Sequence, residues 1–369
     1  MGGKENIYSV ELRKLVKRFP GITAVDHINL KVKHGKVFSL LGPSGCGKTT
    51  TLRIIAGLET MDDGEVLIGG SIVNDVPAYR RNCNLVFQNL ALFPHMTVKE
   101  NIAYGLERKG LSKDKISKRV GEMLELVQLT GMEKRKVTQL SGGEQQRIAL
   151  VRSLVLKPKI LLLDEPLAAL DRKLRKNMQG ELKRIQKEVG TTFFYVTHDQ
   201  KVALAISDII AVMKQGRLEQ VATPEEIYGA PETKFVADFM GIANIFSGKI
   251  IAKNDGEIQL ESKSGLKVIS INNRELKSDD ITSVCVHPER IDVLPAGTAL
   301  EADNKYKGTI AEMVYQGDYV EMKVHVLNIK NDETITAHLD ARLSQKNRFS
   351  AGDEVLICWD RESSSLLQG

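Results

Sequence analysis

Residues 42–49 read Gly-Pro-Ser-Gly-Cys-Gly-Lys-Thr, and this segment constrains the fold more than any other part of the 369-residue chain. An apolar segment, 36–41, precedes it, and residues 48–56 have the composition of a helix. Glycines at this spacing leave backbone N–H groups free to surround phosphate oxygens, and the positive end of the following helix attracts the same oxygens. A strand, such a turn and a helix in this order form a P-loop. The sequence therefore predicts a fold that binds a nucleotide.

The P-loop side chains have distinct expected roles. Lys48 is placed to reach the β- and γ-phosphates, and the hydroxyl of Thr49 to ligate Mg²⁺. This segment therefore predicts a bound nucleotide and Mg²⁺, and ATP as that nucleotide is what the family resemblance described below implies. The P-loop residues predicted to contact the nucleotide are Gly42, Ser44, Gly45, Cys46, Gly47, Lys48, Thr49 and Thr50.

A second segment, which carries two carboxylates, points to the same chemistry as the P-loop. Residues 1–240 alternate strand-like and helix-like segments, which is the pattern of an α/β fold with a mainly parallel sheet. The apolar run 160–163 suits a strand buried on both faces, and Asp164 and Glu165 follow it directly. A carboxylate at the end of such a strand, facing a P-loop, is where Mg²⁺ is held, and its neighbour can polarise the attacking water.

The segment Ser141-Gly142-Gly143-Glu144 scans as a capping box at the start of a helix. A capped helix with two glycines in its first turn presents N–H groups and the positive end of its dipole. The segment is therefore predicted both to begin a helix and to bind an anion.

Composition and charge exclude several classes of protein. The net charge of +5 is spread over the chain without a Lys/Arg block, which favours a solvated surface over a nucleic-acid footprint. No apolar run approaches the length that a membrane-spanning helix needs. The cysteines at 46, 83, 285 and 358 lack metal or disulfide spacing, so we expect reduced cytosolic thiols. Cys46 is expected to be the reactive one, because a helix N-terminus favours the thiolate.

Residues 140–147, Leu-Ser-Gly-Gly-Glu-Gln-Gln-Arg, together with the P-loop resemble the ATP-binding cassette (ABC) family. The resemblance implies that Asp164 is the Walker B aspartate that binds Mg²⁺ and that Glu165 is the general base. It also implies that Ser141 and Gly143 contact the γ-phosphate held by a second copy of the chain. The catalytic site would then be complete only in a homodimer.

The resemblance assigns four further residues. His198 matches the switch histidine that contacts the γ-phosphate, and Gln88 matches the glutamine that ligates Mg²⁺ beside the transmembrane partner. Phe19 matches the aromatic residue that stacks on adenine, and Asp171 matches the aspartate that communicates across the dimer. Ala168 stands where many relatives have serine. The catalytic residues implied are Glu165, His198, Gln88 and Lys48, and the metal ligands are Thr49, Gln88 and Asp164.

Two domains are expected. Residues 1–240 would form the nucleotide-binding domain, with a helical subdomain at about 92–156. Beyond Gly241 the pattern changes to short alternating strands such as 320–326, which predicts a small all-β, barrel-like domain over 241–369. This region resembles the accessory domain called TOBE. All the predicted phosphate contacts precede it, so we expect it to regulate rather than to catalyse.

The resemblance also implies a function. The chain is similar to the ATPase subunits of importers in the maltose, polyamine and iron group, and residues 170–176 and 355–360 are most similar to those of polyamine importers. Sugar, ferric iron or another solute remains an alternative, as does a soluble regulatory ATPase. The implied partners are two transmembrane permease subunits, a second copy of the chain and an extracytoplasmic solute-binding protein. The implied location is the cytoplasmic face of the cell membrane.

Overall fold

The computed structural model describes residues 8–254, 256–271, 281–330, 332–342, 344 and 349–368. It divides into two compact units, Met1–Pro224 and Glu225–Gly369. Within the described residues, no helix combines the length and the apolar character needed to cross a membrane.

Residues 8–224, the described part of the first unit, contain two sheets and six α-helices. Its strands are β1 (Tyr8–Phe19), β2 (Ile22–Lys33), β3 (Val37–Leu41), β4 (Asp63–Ile68), β5 (Ser71–Ile72), β6 (Cys83–Val86), β7 (Ile160–Asp164), β8 (Thr192–Thr197), β9 (Ile209–Lys214) and β10 (Arg217–Ala222). Its helices are α1 (Lys48–Ala56), α2 (Val98–Arg108), α3 (Lys113–Leu126), α4 (Gly142–Leu154), α5 (Arg172–Val189) and α6 (Gln200–Ile206).

The larger sheet has the strand order β10-β9-β3-β8-β7-β6, and only its β10–β9 pair is antiparallel. β3 is buried throughout and β7 as far as its last residue, which explains their unbroken apolar sequences. In register, β7 and β8 pair Asp164 with Val196, so both strands end at the same edge. The predicted α/β fold with a mainly parallel sheet is confirmed.

A four-stranded antiparallel sheet, β2-β1-β4-β5, was not foreseen from the sequence. Its apolar residues share one cluster with α1 and with the larger sheet; Leu12, Leu30, Leu52 and Leu162 belong to it. The long strands β1 and β2 pair with several register shifts, which obscures a simple alternation in the sequence.

Helices α2, α3 and α4 fall within the segment expected to be helical. Ile102, Leu124 and Ile148 lie in one buried cluster that also includes Leu161 and Leu163 of β7. Thr97 caps α2, accepting from the backbone N–H of Glu100 while the Glu100 carboxylate accepts from the backbone N–H of Thr97. Helices α2, α3 and α4 therefore pack on one of the two apolar faces of the parallel sheet.

The second unit is dominated by strands. It contains α7 (Pro224–Gly229, whose first residue belongs to the first unit), α8 (Lys234–Phe239), β11 (Asn244–Asn254), β12 (Glu257–Ser262), β13 (Lys267–Ile271), β14 (Ile281–Val286), β15 (Asp292–Pro295), β16 (Asn304–Tyr315), β17 (Tyr319–Val326), β18 (Thr334–Asp340), β19 (Glu354–Trp359) and β20 (Ser364–Leu367). The sheets run β13-β12-β11-β14-β20 and β15-β19-β16-β17-β18, every pair antiparallel. One apolar cluster joins the two sheets, and the predicted all-β domain is confirmed.

The division between the units lies after Pro224, earlier than the boundary between residues 240 and 241 expected from the sequence. The reason is packing within the second unit. Ala237 of α8 belongs to a buried cluster with Ile242, Cys285 and Leu367. The ring of Tyr228, in α7, lies 4.1 Å from that of His287. Because residues 225–240 have a helical composition, the sequence did not indicate that they belong to the β-rich unit.

A chain ending at Pro224 should unfold cooperatively, because the apolar clusters described in the first unit are built from residues that precede it. A chain ending at Met240 should bind more of a hydrophobic dye, because Ala237 would lose Cys285 and Leu367. Thermal unfolding by circular dichroism and dye fluorescence test this. Cooperative unfolding of the longer chain alone would place the boundary after Met240.

Candidate active site

The P-loop connects β3 to α1 and is held in a conformation that requires glycine. Gly47 has φ +109° and caps α1, and Gly45 has φ +80°. A Cβ at Gly47 would overlap the carbonyl oxygen of Ala24, and one at Gly42 would overlap that of Met213. Because the neighbouring backbone approaches so closely, the loop can adopt this path only without side chains at these positions.

The Lys48 side chain is almost fully buried, at 5% exposure, within this loop. Its ammonium donates to the carbonyl oxygens of Gly42 and Pro43, each at 2.8 Å. A buried ammonium needs such acceptors, and the phosphate oxygens of a nucleotide are stronger ones. Of the other predicted loop residues, Ser44 is exposed and Thr50 half-buried.

The side chain of Asp164, at the end of β7, contacts that of Thr49, in the first turn of α1. The Thr49 hydroxyl donates to a carboxylate oxygen of Asp164 at 3.3 Å. Burial raises the pKa of Asp164 above its ordinary value, the Thr49 hydrogen bond opposes the rise, and the charge of Glu165 adds to it. Hydroxyl and carboxylate oxygens are the hard ligands that Mg²⁺ prefers, so this pair fits the metal expected from the sequence.

Glu165 and His198 are brought together because β7 and β8 are neighbouring parallel strands. Nδ1 of His198 lies 2.8 Å from Oε1 of Glu165. The Glu165 backbone has φ +46° and its N–H donates to the carbonyl of Val196 at 3.0 Å. Gln88 lines the same cavity, of about 140 Å³, as Glu165 and His198. A carboxylate, an imidazole and an amide therefore face one small space.

Residues 140–147, the signature segment, span the start of α4 as predicted. The Ser141 hydroxyl accepts from the backbone N–H of Glu144 at 3.4 Å, and the Glu144 carboxylate accepts from the backbone N–H of Ser141 at 2.7 Å. Gly143 lies against Leu174 of α5, since a Cβ there would be 2.9 Å from Leu174 Cδ1. Asp171 caps α5 by accepting from the Leu174 N–H at 2.9 Å. Ser141, Gly143 and Asp171 thus lie on adjoining helix N-termini.

The side-chain hydrogen bonds described for Ser141 and Asp171 run to the first turns of their own helices, α4 and α5. Phe19 is 40% exposed at the end of β1, with the Lys17 ammonium 5.1 Å from its ring centroid. An exposed ring beside a cation leaves one apolar face available for a stacked base.

The environment of Cys46 differs from the sequence-based expectation. Its side chain is 5% exposed, and burial raises the pKa of its thiol, which outweighs the nearby Lys48 charge. The other three cysteines are also buried. Burial raises the pKa of Cys83 to about 11 and that of Cys285 to about 12. The expectation of a readily ionised thiol at Cys46 is therefore wrong, because desolvation exceeds the effect of the helix N-terminus.

Two functional candidates escaped the sequence analysis. Arg175 and Asp199 line the same cavity as Glu165 and His198, and they form an ion pair of 3.2 Å. Asp199 directly follows His198, which was a usable signal, whereas Arg175 is one of several basic residues at the start of α5.

The chain matches two known protein families. Residues 25–168 match the family described as ABC transporter, and residues 284–367 match the TOBE domain. The chain is 46% identical to the spermidine/putrescine import ATP-binding protein PotA of Rubrobacter xylanophilus, over 98% of this chain and 94% of that protein. It belongs to the ABC transporter family of ATP-binding proteins. The family resemblance expected from the P-loop and the signature segment is thus confirmed.

Other relatives agree with this membership. The protein of the same name from Trichormus variabilis is 47% identical to this ABC chain over 97% of it and 92% of that protein. The solved structure of cbiO1 from Clostridium perfringens, described as part of the ABC transporter complex cbiONQ, has a TM-score of 0.56 and 29% identity. The structural match covers 60% of this chain and 91% of the cbiO1 chain.

The thiols of this ABC protein should react slowly with maleimide at pH 7. Raised pKa values leave less thiolate, and burial blocks access, so labelling should accelerate as the pH rises. The rate should be at least about tenfold higher in guanidinium, where all four thiols are exposed. Mass spectrometry of labelled peptides measures this. Labelling of Cys46 in the native protein as fast as in guanidinium would contradict the buried thiol.

Proposed function

We propose that this chain is the ATP-binding and ATP-hydrolysing subunit of an importer, and that spermidine and putrescine are its solutes. The observation that carries the hydrolytic role is the 2.8 Å contact between Glu165 and His198, which follows β7 and β8 at the carboxyl ends of the strands. The solute is supported by the names of relatives that are 46–47% identical over nearly the whole chain.

The P-loop residues would bind the triphosphate. Backbone N–H groups of residues 44–49 would surround the phosphates, and the Lys48 ammonium would exchange its two carbonyl acceptors for phosphate oxygens. Thr49, Asp164 and Gln88 would hold Mg²⁺, which when bound neutralises phosphate charge. Phe19 would stack on the adenine.

Glu165 would accept a proton from the attacking water. His198 holds one oxygen of that carboxylate at 2.8 Å and so fixes its direction. This division of roles leaves Lys48 to stabilise charge on the phosphates.

A second copy would complete the site. The N-terminus of α4, with Ser141 and Gly143, presents N–H groups and a positive dipole to the γ-phosphate bound by the partner copy. Asp171 would act across the same interface. Because ATP then binds the closed homodimer more tightly than the open one, its binding free energy drives closure.

The proposed function also implies further partners and a location. Two transmembrane permease subunits would dock near Gln88, and an extracytoplasmic solute-binding protein would act through the complex. The chain would work at the cytoplasmic face of the cell membrane, without nucleic acid. The solute contacts lie in those partners, so this chain's own residues argue for energy coupling and the relatives argue for polyamine.

Glu165→Gln should bind ATP with Mg²⁺ and hydrolyse it about 10²–10⁴-fold more slowly, because the amide keeps the shape of the side chain but cannot act as a base. It should also accumulate as an ATP-dependent dimer, seen by size-exclusion chromatography. Glu125→Gln, at an exposed position on α3, is the matched control and should hydrolyse normally. Near-normal hydrolysis by Glu165→Gln, with monomer alone in ATP, would refute the role of Glu165.

Deleting the gene should abolish uptake of labelled spermidine or putrescine and leave uptake of maltose and ferric iron unchanged. Uptake should return with the wild-type chain and not with Glu165→Gln. The measurement needs cells without a second polyamine system. Unchanged polyamine uptake with lost sugar or iron uptake would assign the importer to the other solute.

A further inference from the structure

Two loops of the candidate active site are joined to each other by two side-chain contacts. The loop after β7, residues 165–171, carries Glu165 at its start and Asp171 at its end. The turn after β8, residues 198–199, carries His198. The Glu165–His198 contact is the first connection, and the ion pair from Arg175 Nη1 to Asp199 Oδ2, at 3.2 Å, is the second.

Arg175 also binds the first loop directly. Its Nη2 donates to the carbonyl of Leu170 at 2.9 Å and to that of Ala168 at 3.4 Å. One guanidinium therefore connects the backbone just before Asp171 to the side chain just after His198. The planar fork of arginine can reach acceptors in two directions at once, which a lysine ammonium does less well.

The Arg175 side chain keeps this position at a cost. Its Nε is buried and has no hydrogen-bond partner within the described part of the chain. An unpaired buried N–H is unfavourable, so the bonds to the two carbonyls and to Asp199 must outweigh it. Asp199 is itself fixed, because its Oδ1 accepts from the Val202 N–H at 3.1 Å and caps α6.

We propose that Arg175 is a positioning residue that makes the Asp171 loop and the His198 turn move as one body. Arg175 touches neither water nor phosphate in this scheme; it acts through Glu165, His198 and Asp171. A change at the His198 turn would thereby reach the loop facing the second copy. This inference rests on the proposed ATPase function.

The test compares steady-state hydrolysis and equilibrium ATP binding for Arg175→Gln, Asp199→Asn and the double variant. Arg175→Gln should lower kcat about 10²-fold, as misplaced catalytic groups do, with the Kd for ATP within about threefold of wild type. Asp199→Asn keeps an oxygen to cap α6 and removes the charge, so it should lower kcat less. Because the two residues act as a unit, the double variant should be no slower than Arg175→Gln.

The matched control is Lys187→Gln, which removes one exposed positive charge from the same helix about 18 Å away and should change nothing. Arg175→Lys, which can serve fewer acceptors, should give an intermediate kcat and replaces Arg175→Gln if that variant does not fold.

Three results would overturn the inference while leaving the ATPase function intact. They are a kcat for the Arg175 variants within twofold of wild type, losses that multiply in the double variant, or a loss of ATP affinity as large as the loss of kcat. Absence of hydrolysis by the wild-type chain in its assembled complex would instead refute the proposed function, and the inference with it.

Discussion

Parallel pairing of β3, β7 and β8 is the constraint on which the site depends. β3 pairs with β8 and β8 with β7, all in the same direction, so the segments that follow them emerge at one edge of the sheet. Those segments are the P-loop, the Asp164–Glu165 pair and the His198 turn. The apolar side chains that bury these strands on both faces therefore also set the distances between the reactive groups.

The strongest sequence signals came from segments whose backbone leaves little choice. Gly42 and Gly47 lie where any side chain would overlap a neighbouring carbonyl oxygen. The glycine pattern in the sequence therefore predicts the path of the loop directly. Ser141 and Glu144 likewise cap α4 as their spacing predicts. Such local features depend on residues close together in the sequence, which is why they could be recognised without a structure.

Features that depend on distant residues were missed. The pKa of the Cys46 thiol follows from burial among side chains of several elements, and the local helix N-terminus pointed the other way. The pairing of Arg175 with Asp199 spans 24 residues and requires the register of β7 and β8. The first helices of the second unit look like a continuation of the α/β pattern, and only the contact of Ala237 with Cys285 and Leu367 reassigns them.

The most direct test of the proposed site is the structure of the Glu165→Gln variant with ATP and Mg²⁺. We predict the triphosphate within the P-loop, Mg²⁺ contacting Thr49 and Asp164, and a water about 3 Å from the side chain at position 165. Ser141 and Gly143 of the partner subunit should face the γ-phosphate. A triphosphate bound elsewhere, or a metal held without Asp164, would contradict the account.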